Sequence, residues 1–294
     1  MTGLITTVTR NILIVSSLMT CQLACAQSRT VEVTGGQPVE KAIEQLEAIY
    51  GVPITYEDTT TVNESQLEDV TEQVQRTPDP SHRIMRIRER TLSFTYKPLS
   101  SGSPQSGVSP QTQEETAAKV ADALSSVLDG YANSGGSATF SVTNEDGIFH
   151  VLATNFLNKD GKLQQLTPIL DTKITIPPKE RTRLGLFQEI CRSLSESADV
   201  HFGEGDFPFN RGSVQAQTAT TISGSDVPAR TLLSQLLTEL AAPISQEVSV
   251  DGPDGQRLTR NVVVWNGGPI SWKLFYGPSW GYTLHIRRVI LADK

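Results

Sequence analysis

The stretch covering residues 31–56 constrains this chain more than any other. Apolar side chains fall at Val39, Ala42, Ile43, Leu46, Ile49 and Tyr50, the spacing of one helix face, while Glu40, Lys41, Glu44, Gln45 and Glu47 fill the opposite face. Pro38 suits the first helical turn, where an N–H would have no intrahelical partner. Gly51 suits the left-handed position after the last turn. Extended runs at 31–33 and 54–56 flank this helix, so the unit reads strand, helix, strand. Such a unit must bury its stripe on a sheet.

The order continues and then recurs. Leu92, Phe94 and Tyr96 alternate with Thr and Ser as a half-buried strand. Thr112 and Glu115 have capping-box spacing ahead of a helical stripe at Ala117, Val120, Ala121, Leu124, Val127, Leu128 and Tyr131. Asp146-Gly147 between two β-like runs predicts a hairpin. Residues 31–153 therefore read β-α-β-β-α-β-β. The second half gives the same order: a strand at 173–176, a helix carrying Leu186, Phe187, Ile190, Cys191 and Leu194, strands at 200–202 and 219–223, a Leu-rich helix from Pro228, and alternation at 272–276 and 282–286. Pro38, Ala42, Ile43 and Leu46 share their spacing with Pro228, Leu232, Leu233 and Leu236. The expected fold class is α+β, as two small two-layer modules at 27–157 and 158–294, each with helices packed on a small sheet. The Ser/Gly/Pro/Gln-rich segment 100–110 reads as a flexible loop, residues 58–81 as an insertion, and residues 244–264 as an inserted hairpin.

Residues 1–26 read as a secretory signal. Arg10 precedes a short apolar run at 12–19, and Ala24-Cys25-Ala26 matches a small-x-small cleavage pattern, which makes Gln27 the mature end. A lipoprotein would carry its lipid on Cys21 or Cys25, but the residues before each fit poorly. The expected location is periplasmic or extracellular, with no transmembrane segment in the mature chain. Only Cys191 remains there, so no internal disulfide can form. The formal charge of −7 argues against nucleic acid, whose phosphates call for Lys and Arg.

Residues 34–46, Thr-Gly-Gly-Gln-Pro-Val-Glu-Lys-Ala-Ile-Glu-Gln-Leu, followed by Tyr50-Gly51-Val52-Pro53-Ile54-Thr55-Tyr56, resemble the secretin and TonB N-terminal short domain, STN. Residues 223–233 resemble the second helix start of the same fold. The resemblance implies two diverged copies of a periplasmic domain that docks other envelope proteins and carries no catalytic residues. The family's domain precedes a secretin ring or an outer-membrane barrel, from which this sequence departs by ending at Lys294. It departs also in its two insertions.

The candidate partner-binding residues form two groups. Arg83, Arg86, Arg88 and Arg90, with His82, are the densest basic run of an acidic chain and could meet an anionic partner. The same run could be a charged edge strand that discourages aggregation. Trp272, Trp280 and Tyr282, with Phe275 and Tyr276, could form an aromatic platform for sugar or protein, and the alternating members could equally be core. His201, Glu204 and Asp206 match no standard metal spacing, and His150, His285 and Cys191 read as structural. No cofactor or metal is expected. The reading is an exported docking protein without catalysis, whose partner is an envelope protein and whose oligomeric state the sequence leaves open. The alternatives are a glycan- or peptidoglycan-binding module using the C-terminal aromatics, and a hydrolase with two carboxyls converging in a cleft.

Overall fold

The computed structural model describes residues 27–59, 66–74, 83–99, 110–158, 160–251, 256–277 and 280–292. The signal segment, His82 and positions 100–109 of the expected loop lie outside the described residues. The first half contains β1 (Arg29–Gly35), α1 (Pro38–Tyr50), β2 (Ile54–Glu57), β3 (Leu67–Asp69), α2 (Thr71–Val74), β4 (Met85–Ile87), β5 (Arg90–Tyr96), α3 (Pro110–Asn133), β6 (Ala138–Glu145), β7 (Ile148–Leu157) and β8 (Leu163–Gln165). The second contains β9 (Lys173–Ile176), β10 (Arg181–Thr182), α4 (Arg183–Ala198), β11 (Phe202–Glu204), α5 (Val214–Gln217), β12 (Ala219–Thr220), β13 (Gly224–Pro228), α6 (Ala229–Ala241), β14 (Ile244–Asp251), β15 (Arg257–Trp265), β16 (Ile270–Gly277) and β17 (Gly281–Arg288). The fold is α+β. Among the described residues no helix is long and apolar enough to cross a membrane.

The local sequence rules account for the elements. Pro38 opens α1, and Gly51 closes it in the left-handed conformation, φ 67°. Asp199 does the same for α4 at φ 52°. The β6–β7 turn uses Asp146 and Gly147 at φ 51° and 82°, as a two-residue primed turn requires. The inserted hairpin is β14 against β15, and β4 of the arginine run pairs with β3.

The two halves have matching strand arrangements. A ribbon β1–β5 corresponds to β9–β13, both antiparallel. β2 runs parallel to β7, which is antiparallel to β6; β11 runs parallel to β17, which is antiparallel to β16. The spatial counterpart of α1 is α4, since each ends in a left-handed cap and feeds the parallel strand. The shared spacing of Pro38 and Pro228 thus linked α1 to a non-equivalent helix, α6, because any helix packed on a sheet repeats the same stripe. The expected strand at 219–223 is also split. Residues 219–220 pair with β10, and the ribbon strand is β13, bulged and carrying Asp226 at φ 56°.

The two units share one sheet, in the order β11-β17-β16-β2-β7-β6, with β8 against the end of β7. The junction is a parallel pairing of β16 with β2, Lys273 beside Tyr56 and Leu274 beside Glu57. The helices of the two halves lie on opposite faces of this sheet. Along β16, Trp272 and Leu274 enter the core under α4 and α6, whereas Phe275 packs with the core under α1 and α3. Along β7, Ile148 joins the first core and Phe149 and Val151 the second. Left-to-right order is conserved while strand direction and helix face are inverted. The units are therefore related by a half-turn about an axis lying in the sheet across the strands, combined with a shift along that axis.

Candidate functional site

The junction holds the most heavily buried charges. Lys273 is the one charged residue of β16 and is 1% exposed. Its Nζ donates to Glu47 Oε2 at 2.9 Å and to the Ile54 carbonyl at 2.5 Å. Glu47 Oε1 accepts the Ile54 N–H at 2.9 Å. One lysine of the second half therefore ties together a helix and a strand of the first. On the other face, Arg230 from α6 donates to Glu57 Oε2 at 2.7 Å and to Asp171 Oδ1 at 3.0 Å. Burial raises the pKa of Glu57 against the opposing pull of Arg230. Beside it His150 stacks on Trp272 with ring centroids 5.2 Å apart, and its Nδ1 meets Thr55 Oγ1 at 2.7 Å. Burial, with Arg230 nearby, lowers the His150 pKa to about 4. The imidazole is thus neutral at pH 7.

A cleft of about 520 Å³ opens on the face of β16 and β17 turned away from α4 and α6, walled by α1, the Asp206–Pro208 loop and the tail from Arg288 to Ile290. Its charges satisfy one another. Arg287 reaches Glu44 at 2.9 Å, Glu40 at 3.4 Å and Asp206 at 3.7 Å, and Arg288 lies 4.3 Å over the Trp265 ring. Carboxyls do converge here, as a hydrolase would need, but around a guanidinium that holds them in place. Burial and then Glu44 push the Glu40 pKa up to about 7, yet Glu40 does not line the cleft. Among the described residues no group of three or more His, Cys, Asp or Glu is arranged to hold a metal ion.

The third feature is the outer edge of β6. Glu145 and Ile148 close the two-residue turn, so Glu145, Thr143 and Ser141 turn their backbone groups toward β7. The Phe149 N–H, bonded to the Pro53 carbonyl on the other side, confirms this alternation. Phe140, Val142 and Asn144 therefore direct their N–H and C=O groups outward, and among the described residues no strand pairs with them. Residues 139–143 read Thr-Phe-Ser-Val-Thr, without the Lys or Pro that commonly blunts an edge. The opposite edge, β11, is short: Phe202–Glu204, with the Phe202 N–H accepted by Ser195 Oγ at 2.9 Å.

The expected binding residues are dispersed. Arg83 is exposed with Asp69 at 3.9 Å, Arg86 grips Glu68 through Nε and Nη2 at 2.9 and 2.6 Å, Arg88 is exposed, and Arg90 donates to the Gly135 carbonyl at 2.5 Å. Arg86 thus braces the β3–β4 strand pair, and Arg90 braces the turn after α3. The aromatic platform does not form. Trp272 is fully buried against His150, and Tyr282 stacks on Phe202 at 4.9 Å in the core; alternation on a covered face places them there. Trp280 alone of the three is exposed, at 60%. Lys273, Glu47, Arg230 and Glu57 were not among the residues expected to form a site. A single lysine inside Ile-Ser-Trp-Lys-Leu-Phe-Tyr and a glutamate closing Ile-Thr-Tyr-Glu were the available signals.

Comparison of the chain with known protein families, with curated proteins and with solved structures found no match.

Proposed function

We propose that this chain is an exported, non-catalytic docking protein of the cell envelope that captures a partner by strand addition at β6. One observation carries the reading. The counterpart of β6 in the second unit, β16, is covered on the corresponding side by a strand from another unit, while β6 presents the same side open. An incoming strand would gain main-chain hydrogen bonds along the edge. The signal-like start at 1–26 and the resemblance of residues 34–56 to the STN domain support the envelope setting. The test is capture of proteins from envelope extract on immobilised chain, repeated with Val142→Pro, which removes an outward N–H and spares the ladder to β7. Retention of a partner that falls at least tenfold with Val142→Pro is expected. A partner held equally by both proteins, or no partner at all, would refute the proposal.

A further inference from the structure

We infer that the strand received by β6 is β11 of a second copy of this chain, added head to tail. This inference rests on the docking reading above. The internal junction joins unlike edges: the outer hairpin strand of one unit, β16, takes the strand that follows the first helix of the other, β2. Among the described residues the sheet therefore ends on one unpaired edge of each kind. β6 is equivalent to β16, and β11 is equivalent to β2.

Polarity agrees. Following the pairings across the sheet, β11 and β6 point the same way, so β11 of a second copy laid against β6 makes a parallel pair, as β16 and β2 do. Two applications of the half-turn and shift that relate the units amount to a translation along the sheet. The contact is heterologous and does not close on itself in two copies.

The equivalences extend to single residues. Ile54 and Phe202 each begin their strand opposite the second residue of the hairpin's later strand, Phe149 of β7 and Tyr282 of β17. Each N–H is accepted by a helix side chain seven residues earlier, Glu47 in one case and Ser195 in the other. The cap on Ile54 does not prevent β2 from pairing, so the cap on Phe202 leaves β11 equally competent. Val142 and Leu274 occupy matching places, opposite Val151 and Leu284. Transferring the junction register places Ser141 beside Glu204 and Val142 beside Gly205 of the second copy. Ser141 thus stands where Lys273 stands inside the molecule, and Ser195 where Glu47 stands. Two differences weaken the outer contact. The buried ion pair is missing, and the Asp206 N–H is taken by His285 Nδ1 at 3.0 Å, whereas its counterpart Asp58 donates to the Leu274 carbonyl. The association is reversible and concentration-dependent.

Sedimentation velocity of the mature chain over ~1 μM to ~1 mM reads it directly. A weight-average mass that rises with concentration is expected. Val142→Pro and Glu204→Pro should each be monomeric alone, since each retains one edge kind. Mixed, they should form a 1:1 dimer and nothing larger. A gain of function guards against misfolded proline variants: Ser141→Lys with Ser195→Glu rebuilds the Lys273–Glu47 pair between copies and should tighten association at least tenfold. Wild type that stays monomeric throughout, together with a double variant that associates no better, overturns the inference. Persistence of oligomers in Glu204→Pro alone overturns it too, since that result requires an interface that does not use β11. If the chain is monomeric but envelope capture is still lost with Val142→Pro, the inference falls and the docking reading stands.

Discussion

Replacing Lys273 by Met tests whether the two units form one cooperative structure. Lys273 and Glu47 are 2.9 Å apart with side chains 1% and 7% exposed, and they belong to different halves. At that distance and an effective dielectric of about 20 the attraction is ~6 kcal/mol, much of it offset by desolvation of both ions. Removing the ammonium alone leaves Glu47 buried with the Ile54 N–H as its remaining partner and strips a donor from the Ile54 carbonyl. The expected loss is ~3–5 kcal/mol. Urea unfolding followed by tryptophan fluorescence measures it, because Trp272 sits on the adjacent position of β16. Glu47→Gln alone should also destabilise, and the double variant should recover at least ~1.5 kcal/mol of the summed losses. Strictly additive effects, or a cost for Lys273→Met below ~1 kcal/mol, would show that the ion pair does not hold the halves together.

Arg230→Met removes the guanidinium from Glu57 and Asp171 and should cost ~3–5 kcal/mol by the same urea assay, less at low pH where Glu57 takes up a proton. Glu40 has its folded pKa raised from 4.5 to about 7, so the folded state binds the extra proton in that window. Its contribution to stability is therefore lost as pH rises from about 4.5 to about 7, by up to ~3 kcal/mol, and Glu40→Gln should flatten this decline between pH 5 and pH 8. His150 acts with the opposite sign: its folded pKa is lowered to about 4, so stability falls as pH drops from about 6.5 toward 4, a loss visible in the Glu40→Gln background. Cys191 is buried with its thiol pushed up to about 12, so a thiol reagent at pH 8 should label it only at the rate of unfolding.

Sequence alone located most of the longer elements, while the correspondence it drew between α1 and α6 did not hold. Periodicity is a property of neighbouring residues, and it located α1, α3, α4 and α6, the β6–β7 turn through Asp146-Gly147, and the inserted hairpin. It also supplied the α+β class, since a striped helix flanked by alternating strands has few other ways to cover itself. Tertiary structure decided what those patterns could not hold. Alternation marks which residues of β16 share a face but not that Trp272 and Lys273 face cores belonging to different halves. Trp272 and Tyr282 looked available as contacts because aromatic content does not report burial, whereas Lys273 and Glu47, some two hundred residues apart in the chain, become partners only once β16 lies beside β2. The open side of β6 is likewise invisible along the chain. An edge is defined by the strand that does not pair with it, and that depends on the order in which the whole sheet is assembled.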